Sequence, residues 1–143
     1  MSELRVDFNR PVPVGHELEY MVEAVENGHI SGDGPFTKKV HALLEQELAV
    51  ARALLTTSCT HALEMAAILL NVQAGDEIIV PDFTFVSTVN AFVLRGAHPI
   101  FLDIRPDTLN IDESKLEVAI TPHTKAILPV HYAGNLSVYI THN

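Results

Sequence analysis

Positive charge is scarce in this 143-residue sequence: Lys and Arg total nine against eighteen Asp and Glu, for a formal net charge of −9 at pH 7. A protein that neutralises a phosphate backbone needs a basic stripe, so nucleic acid is not an expected partner and small molecules are favoured. Cysteine is nearly absent. The single Cys59 leaves no internal disulfide framework, and the eight histidines have neither i, i+4 pairing nor cysteine companions, so no metal is expected. No apolar run approaches a membrane-spanning length, and MSELRVDFNRPVPVG lacks the apolar core of a secretory signal. The expectation is a cytoplasmic protein with no membrane partner. Glycine-rich Walker and dinucleotide fingerprints are missing as well. With 48% hydrophobic and 19% charged residues, the chain has the composition of a globular domain. No internal repeat or low-complexity linker marks a domain boundary.

What is there is periodic. Leu18, Met21, Val22 and Val25 recur at helical spacing from Glu17 to Asn27, and Gly28 stands where such a helix ends. The glycine-rich turn SGDGP (31–35) leads to a second helical face with Val40, Leu43, Leu44 and Leu48. Short apolar runs then alternate with helical patterns. Strands are expected at Ala53 to Leu55, Glu77 to Val80, Pro99 to Ile104 and Lys125 to Val130, with helices running to Leu70, Arg95 and Ile120. Strand-helix alternation is the pattern of an α/β fold with a parallel sheet and right-handed crossovers. The turn at Ala74-Gly75-Asp76, Gly96 after a helix and Asp112 at a helix start fit the same frame.

Ligands of such sheets collect at the carboxyl ends of strands. TTSCTHALEMAA (56–67) occupies that kind of junction, where free N–H groups and the positive end of a helix dipole attract an anion. A phosphate is one guest; the plainer reading is that Thr57, Ser58 and Thr60 cap a helix. Cys59 at a helix start is a conceivable nucleophile, but His61, two residues on, is badly placed as its base, and a small side chain filling a tight turn is the simpler role. PDFTFVSTVN (81–90) brings Phe83 and Phe85 to a second junction. Taken alone they read as core, with stacking on a flat ring as the alternative. His131 and Tyr132 belong to the same rim, and a lone histidine there reads as structural.

In order, the blocks GDGPFTKK (32–39), LLTTSCTHALEMAAILL (54–70), GDEIIVPDFTFVSTVNAFVLRGA (75–97), RPDTLNIDE (105–113) and PVHYAG (129–134) closely resemble the DegT/DnrJ/EryC1/StrS family of pyridoxal-phosphate-dependent sugar aminotransferases. The resemblance implies an incomplete fold: the N-terminal part of a fold type I transferase large domain over residues 1–134, a mostly parallel sheet with flanking helices, followed by a non-family tail at 135–143. It implies pyridoxal 5′-phosphate as cofactor, with Ser58, Cys59 and Thr60 holding the phosphate and Phe85 stacking on the pyridine ring. The Gly32 to Phe36 loop would lie near a site shared between two subunits of a homodimer. In the family the substrate is a nucleotide-linked 4-keto-6-deoxyhexose, the amino donor is glutamate, and the products serve polysaccharide or lipopolysaccharide synthesis.

Transamination also needs a lysine to carry the cofactor and an acidic group beneath its ring nitrogen. The family supplies these from later segments, an Asp-Ala-Ala-Gln stretch among them, which this sequence lacks. Lys38, Lys39, Lys115 and Lys125 match no family nucleophile, and the resemblance places Asp103 in a non-catalytic strand. No catalytic residue is therefore assigned. The expectation is a truncated aminotransferase, inactive alone, or a non-catalytic fragment that pairs with an intact homologue. A lysine-free relative would have His131 as its rim candidate. The tail segment 136–140 alternates like a strand.

Overall fold

The computed structural model describes residues 10–137. The chain divides after Leu55 into two compact units, Met1–Leu55 and Thr56–Asn143.

The first unit is a pair of helices, α1 (Glu17–Glu26) and α2 (Pro35–Glu47). α1 starts where the Glu17 carboxylate accepts hydrogen bonds from the Val14 and Gly15 N–H groups. It ends at Gly28, whose φ of 66° and N–H bond to the Val25 carbonyl make the expected helix stop. Gly34 is the residue before α2, and Pro35 opens the helix at a position where its missing N–H costs nothing. The Tyr20 and Phe36 rings, 5.4 Å apart, join the two helices, with Lys39 Nζ 3.4 Å from Glu23. Neither helix contains a buried residue.

The second unit carries the core. Helix α3 (Cys59–Leu69) precedes strand β1 (Glu77–Pro81), followed by α4 (Val86–Val93), β2 (His98–Leu102), a 3-10 turn at Glu113–Lys115 continued by α5 (Leu116–Ala119), and β3 (Thr124–Ile127). The three strands are parallel in the order β2-β1-β3, with Ile79 opposite both Ile100 and Ile127. Ile78, Ile79 and Val80 of the central strand are fully buried, as both faces of a covered parallel strand must be. Ala67, Val72, Ile78, Ala91, Phe92 and Ala97 form one apolar cluster. That cluster joins the C-terminal halves of α3 and α4 at the amino end of the sheet, so the N-termini of both helices lie towards its carboxyl end. Gly96 is obligatory at its turn: its φ is 93°, and a Cβ would sit 3.0 Å from the Ala74 backbone.

The expected strands to Ile104 and Val130 stop earlier, at Leu102 and Ile127, and two expected elements differ more deeply. Ala53 to Leu55 forms no strand of the described sheet. Its alternate N–H groups go to side chains of α2 instead, Ala53 to Glu45 Oε1 at 3.2 Å and Leu55 to His41 Nε2 at 2.9 Å. The helix ending near Ile120 shrinks to the 3-10 turn and four residues of α5, because Pro122 excludes helical geometry at Thr121 and Ile120 is already extended. Of the expected tail at 135–143, residues 138–143, and with them most of the strand-like segment at 136–140, lie outside the described residues.

Candidate functional site

The N-terminus of α3 is built by its own hydroxyls. Ser58, with extended backbone (φ −161°, ψ 162°), is the N-cap, and its Oγ accepts the His61 N–H at 3.1 Å. Thr56 Oγ1 donates to the Ser58 carbonyl at 2.7 Å, and Thr57 Oγ1 is hydrogen-bonded with His61 Nδ1. The Ala62 N–H bonds to the Ser58 carbonyl. Among the described residues the N–H groups of Cys59 and Thr60 are left without an acceptor, and so is the Ser58 hydroxyl proton. An anion placed here meets two backbone donors and the positive end of an eleven-residue helix. The donor set fits a phosphate.

Ser58, Cys59 and Thr60 are thus brought together as a cup, open to solvent at Ser58 and Cys59. Cys59 does not fill a tight turn: it is the exposed first residue of the helix, and it faces the site through its backbone N–H. The His61 ring is engaged by Thr57.

Phe83 and Phe85 are not core residues. Phe85, the residue before α4, is 74% exposed, and no other ring among the described residues packs on it. Phe83, 40% exposed, packs on Tyr132 with ring centroids 4.5 Å apart. The reason is positional: both follow the C-terminal end of β1, past the buried sheet. Phe85 therefore offers a free aromatic face at the N-terminus of α4, on the side of the sheet towards which α3 directs the cup.

The rim turn beyond β3 is fixed by a residue the sequence reading missed. Asn110, only 3% exposed, donates through Nδ2 to the Asn135 carbonyl at 2.9 Å and accepts the Tyr132 N–H at Oδ1, 3.1 Å away. The Asn135 amide returns to the Thr108 carbonyl at 3.2 Å. His131 Nδ1 accepts the Ser137 N–H at 3.1 Å, and Ser137 Oγ donates to the Val130 carbonyl. These bonds tie residues 135–137 to the rim. The only sequence signal for Asn110 is an amide between two apolar residues, Leu109 and Ile111, in a short loop.

Charge at the strand ends is paired. Lys115 Nζ lies 2.8 Å from Asp103 and 3.6 Å from Asp112. Its hydrogen bond holds the Asp103 carboxyl below the usual carboxylate range, while Asp103 in turn raises the Lys115 ammonium above its ordinary value. Arg105 pairs with Asp107 at 2.8 Å and with Glu113, which makes it more firmly cationic still. The Gly32 to Phe36 loop belongs to the first unit. There Asp33 takes the left-handed conformation (φ 59°), and Gly34 is packed against the His29 ring.

A helix start with two unclaimed N–H groups and an exposed aromatic residue before a second helix are features to compare with known proteins. The sequence model of the DegT/DnrJ/EryC1/StrS aminotransferase family matches residues 14–140. The chain belongs to this family. It is 36% identical over 137 residues to a GDP-perosamine synthase of Caulobacter vibrioides, covering 95% of this chain and 37% of that protein. The Streptococcus pneumoniae protein Spr1654, solved in pyridoxal-phosphate, pyridoxamine-phosphate and apo forms, shares the fold at 33% identity. In its pyridoxamine-phosphate form the TM-score is 0.82 over 92% of this chain and 33% of that one. NtdA of Bacillus subtilis, solved with bound pyridoxamine phosphate, is 38% identical with a TM-score of 0.78 over 84% of this chain and 27% of that one. This aminotransferase-family chain thus spans about a third of the length of the relatives it matches. The three-stranded parallel sheet with its helices corresponds to part of an aminotransferase α/β domain. No helix among the described residues is long and apolar enough to cross a membrane.

Proposed function

We propose that this chain is the phosphate-holding and ring-stacking part of a pyridoxal-phosphate-dependent nucleotide-sugar aminotransferase. The observation that carries the reading is the pair of unclaimed N–H groups at Cys59 and Thr60, in a family whose solved members bind pyridoxal or pyridoxamine phosphate. Ser58, Cys59 and Thr60 hold the cofactor phosphate, and Phe85 covers one face of its ring. When bound, the cofactor supplies the electron sink of amino transfer. The sequence blocks resemble those of transaminases that make dTDP-4-amino-4,6-dideoxygalactose, and the perosamine synthase relative also points to a nucleotide-linked sugar. A 4-keto-6-deoxyhexose nucleotide is the proposed acceptor and glutamate the proposed donor, in a cytoplasmic route to surface polysaccharide.

The same residues argue against turnover by these 143 residues alone. A lysine that carries the cofactor must be able to lose its proton, yet Lys115 is held protonated by its hydrogen bond to Asp103, and Lys38, Lys39 and Lys125 match no family nucleophile. The test has two arms. Pyridoxamine phosphate titrated by calorimetry should bind in competition with inorganic phosphate. Phe85→Ala should weaken it roughly twofold to tenfold, the worth of one aromatic stack at about 0.5–1.5 kcal/mol, without lowering the melting temperature. A chain that ignores both phosphates refutes the cup. With pyridoxal phosphate, glutamate and a 4-keto sugar nucleotide, no amino sugar should form; turnover with a lysine-linked chromophore would refute the inactive reading.

A second reading is favoured by the apolar stripe on α1, where Leu18, Met21, Val22 and Val25 are all exposed beside a hollow of about 390 Å³ bordered by Ile30 and Phe36. Apolar surface left in water marks an interaction face. In this reading the chain docks on a full-length family member as a non-catalytic partner. Separate elution of the two after co-expression and size-exclusion chromatography would count against it.

A further inference from the structure

Residues 53–55 lead in sequence into the turn before α3, and two side chains of α2 hold them. His41 and Glu45 stand four residues apart, hence on one face of that helix. Glu45 Oε1 accepts the Ala53 N–H at 3.2 Å, and the Leu55 N–H points to His41 Nε2 at 2.9 Å. The two holds differ in chemistry. A carboxylate keeps its acceptors across the neutral pH range, whereas an imidazole nitrogen accepts only while it carries no proton. A backbone N–H can only donate, so the Leu55 bond fixes the state of His41: a neutral ring with its proton on Nδ1 and a lone pair on Nε2.

Protonation removes that acceptor. An imidazolium is a donor at both nitrogens, so Nε2–H would face the Leu55 N–H and the two would repel. The charged ring also has a better partner one turn along α2, the Glu45 carboxylate. The other charged groups beside the pair are Lys38, three residues before His41 on α2, and Arg52 on the chain leading into the held segment, with Nη1 3.7 Å from Glu45 Oε1. Both are cations, and neither can accept the Leu55 N–H in place of Nε2. Lys39 is engaged with Glu23 of α1 at 3.4 Å. We propose that His41 is a pH-sensitive latch on residues 53–55, closed while Nε2 is unprotonated and opened by acid. The closed form binds one proton fewer than the open one, so the latch is complete above the imidazole titration and is lost as pH falls through it. It works in this way whatever the N-terminus of α3 binds.

The test uses the full 143-residue chain labelled with ¹⁵N, at pH about 8 and pH about 5, which bracket the titration of an ordinary imidazole. His41→Gln identifies the His41 ring signals by their loss. At the higher pH the ring should show Nδ1 protonated and Nε2 unprotonated. Amide exchange of Leu55 is then compared at each pH with His41→Ala, which has no acceptor, and with His41→Gln, whose carbonyl accepts at both pH values. At pH about 8 the parent and the glutamine variant should exchange roughly twofold to tenfold more slowly than the alanine variant, the worth of one exposed neutral hydrogen bond. At pH about 5 the parent should fall to the alanine level while the glutamine variant stays slow. The Leu48 amide, bonded within α2 to the Leu44 carbonyl, should be alike in all three and reports an intact helix. If the glutamine side chain does not reach Leu55, the fall of the parent to the alanine level in acid still decides. A His41 ring protonated on Nε2 at pH about 8, or a parent that keeps its advantage over His41→Ala at pH about 5, would overturn the latch.

Discussion

Replacing Asn110 by alanine should loosen the rim without touching the sheet. The side chain is buried and satisfies two backbone groups of another loop, the Asn135 carbonyl and the Tyr132 N–H. Each bond contributes about 1 kcal/mol net, and a buried backbone group left without a partner costs about 1–3 kcal/mol. Partial access of water to the loosened turn offsets some of that penalty, so the expected loss is about 2–4 kcal/mol. The loss is local, because Asn110 is not part of the apolar cluster around Phe92. Amide hydrogen exchange reads it directly. The Tyr132 amide should lose roughly 30- to 900-fold of its protection, at about 1.4 kcal/mol per factor of ten, while the Ile79 and Val80 amides in β1 change little. Asn110→Asp keeps the acceptor for the Tyr132 N–H but loses the donor to the Asn135 carbonyl, so it should spare Tyr132 more than alanine does. Unchanged Tyr132 protection in Asn110→Ala would refute the clamp.

Three further outcomes follow from the packing and the charges. Phe92→Ala empties a fully buried site between α4 and the sheet and should cost about 3–5 kcal/mol, seen as a large fall in melting temperature; a fall within error would mean that the cluster is not the core. Lys115→Met should return the Asp103 carboxyl towards the ordinary carboxylate range in a ¹³C NMR titration. Because the folded Asp103 titrates below its unfolded value, its contribution is present above pH about 4 and is lost as pH falls through the lowered folded value. That acid-side dependence should shrink in the variant. Gly96→Ala should be markedly destabilising, by about 1–3 kcal/mol, since it combines positive φ with a backbone neighbour, whereas Gly34→Ala meets only the His29 side chain, which can turn away. Equal melting temperatures for the two glycine variants would contradict that distinction.

Periodicity in the sequence located most elements because it records which residues avoid water. Leu18, Met21, Val22 and Val25 marked α1 to within a residue of its end, and the run at 77–80 marked the central strand. The same signal says nothing about what covers an apolar face: the α1 stripe reads identically whether it is buried or exposed. It also fails where an element depends on a neighbour. A strand is a pairing, and Ala53 to Leu55 has strand composition but bonds to His41 and Glu45. Asn110 was hidden for a related reason, since burial of a polar side chain is a property of the loops that close over it. Taken alone, Phe83 and Phe85 read as core because hydrophobic character does not distinguish the last buried residue of a strand from the first exposed residues beyond it; for Phe85 only the family resemblance favours the exposed, stacking alternative.

The cup shows how far residue types can mislead about donors. Thr56, Thr57, Ser58 and Thr60 look equivalent in sequence, but Thr56 spends its proton on the Ser58 carbonyl and Thr57 is tied to His61. The unclaimed donors include two backbone groups, which side-chain chemistry cannot reveal, and one belongs to Cys59. A thiol at this position suggests nucleophilic chemistry, whereas the proposed function uses the residue's N–H. Proline separates the two. At the first helical position proline loses no intrahelical hydrogen bond and its fixed φ suits the helix, and the extended backbone of Ser58 is what a residue before proline requires. Cys59→Pro should therefore leave thermal stability unchanged or slightly raised while removing one phosphate donor. A hydrogen bond to a charged group contributes about 1.5–3 kcal/mol, so inorganic phosphate and pyridoxamine phosphate should bind roughly tenfold to a hundredfold more weakly. Cys59→Ala, which keeps the N–H, should bind both within about twofold of the parent, as expected for loss of a side chain that makes no hydrogen bond. Equal affinities for the proline and alanine variants would mean that the Cys59 N–H does not hold the phosphate.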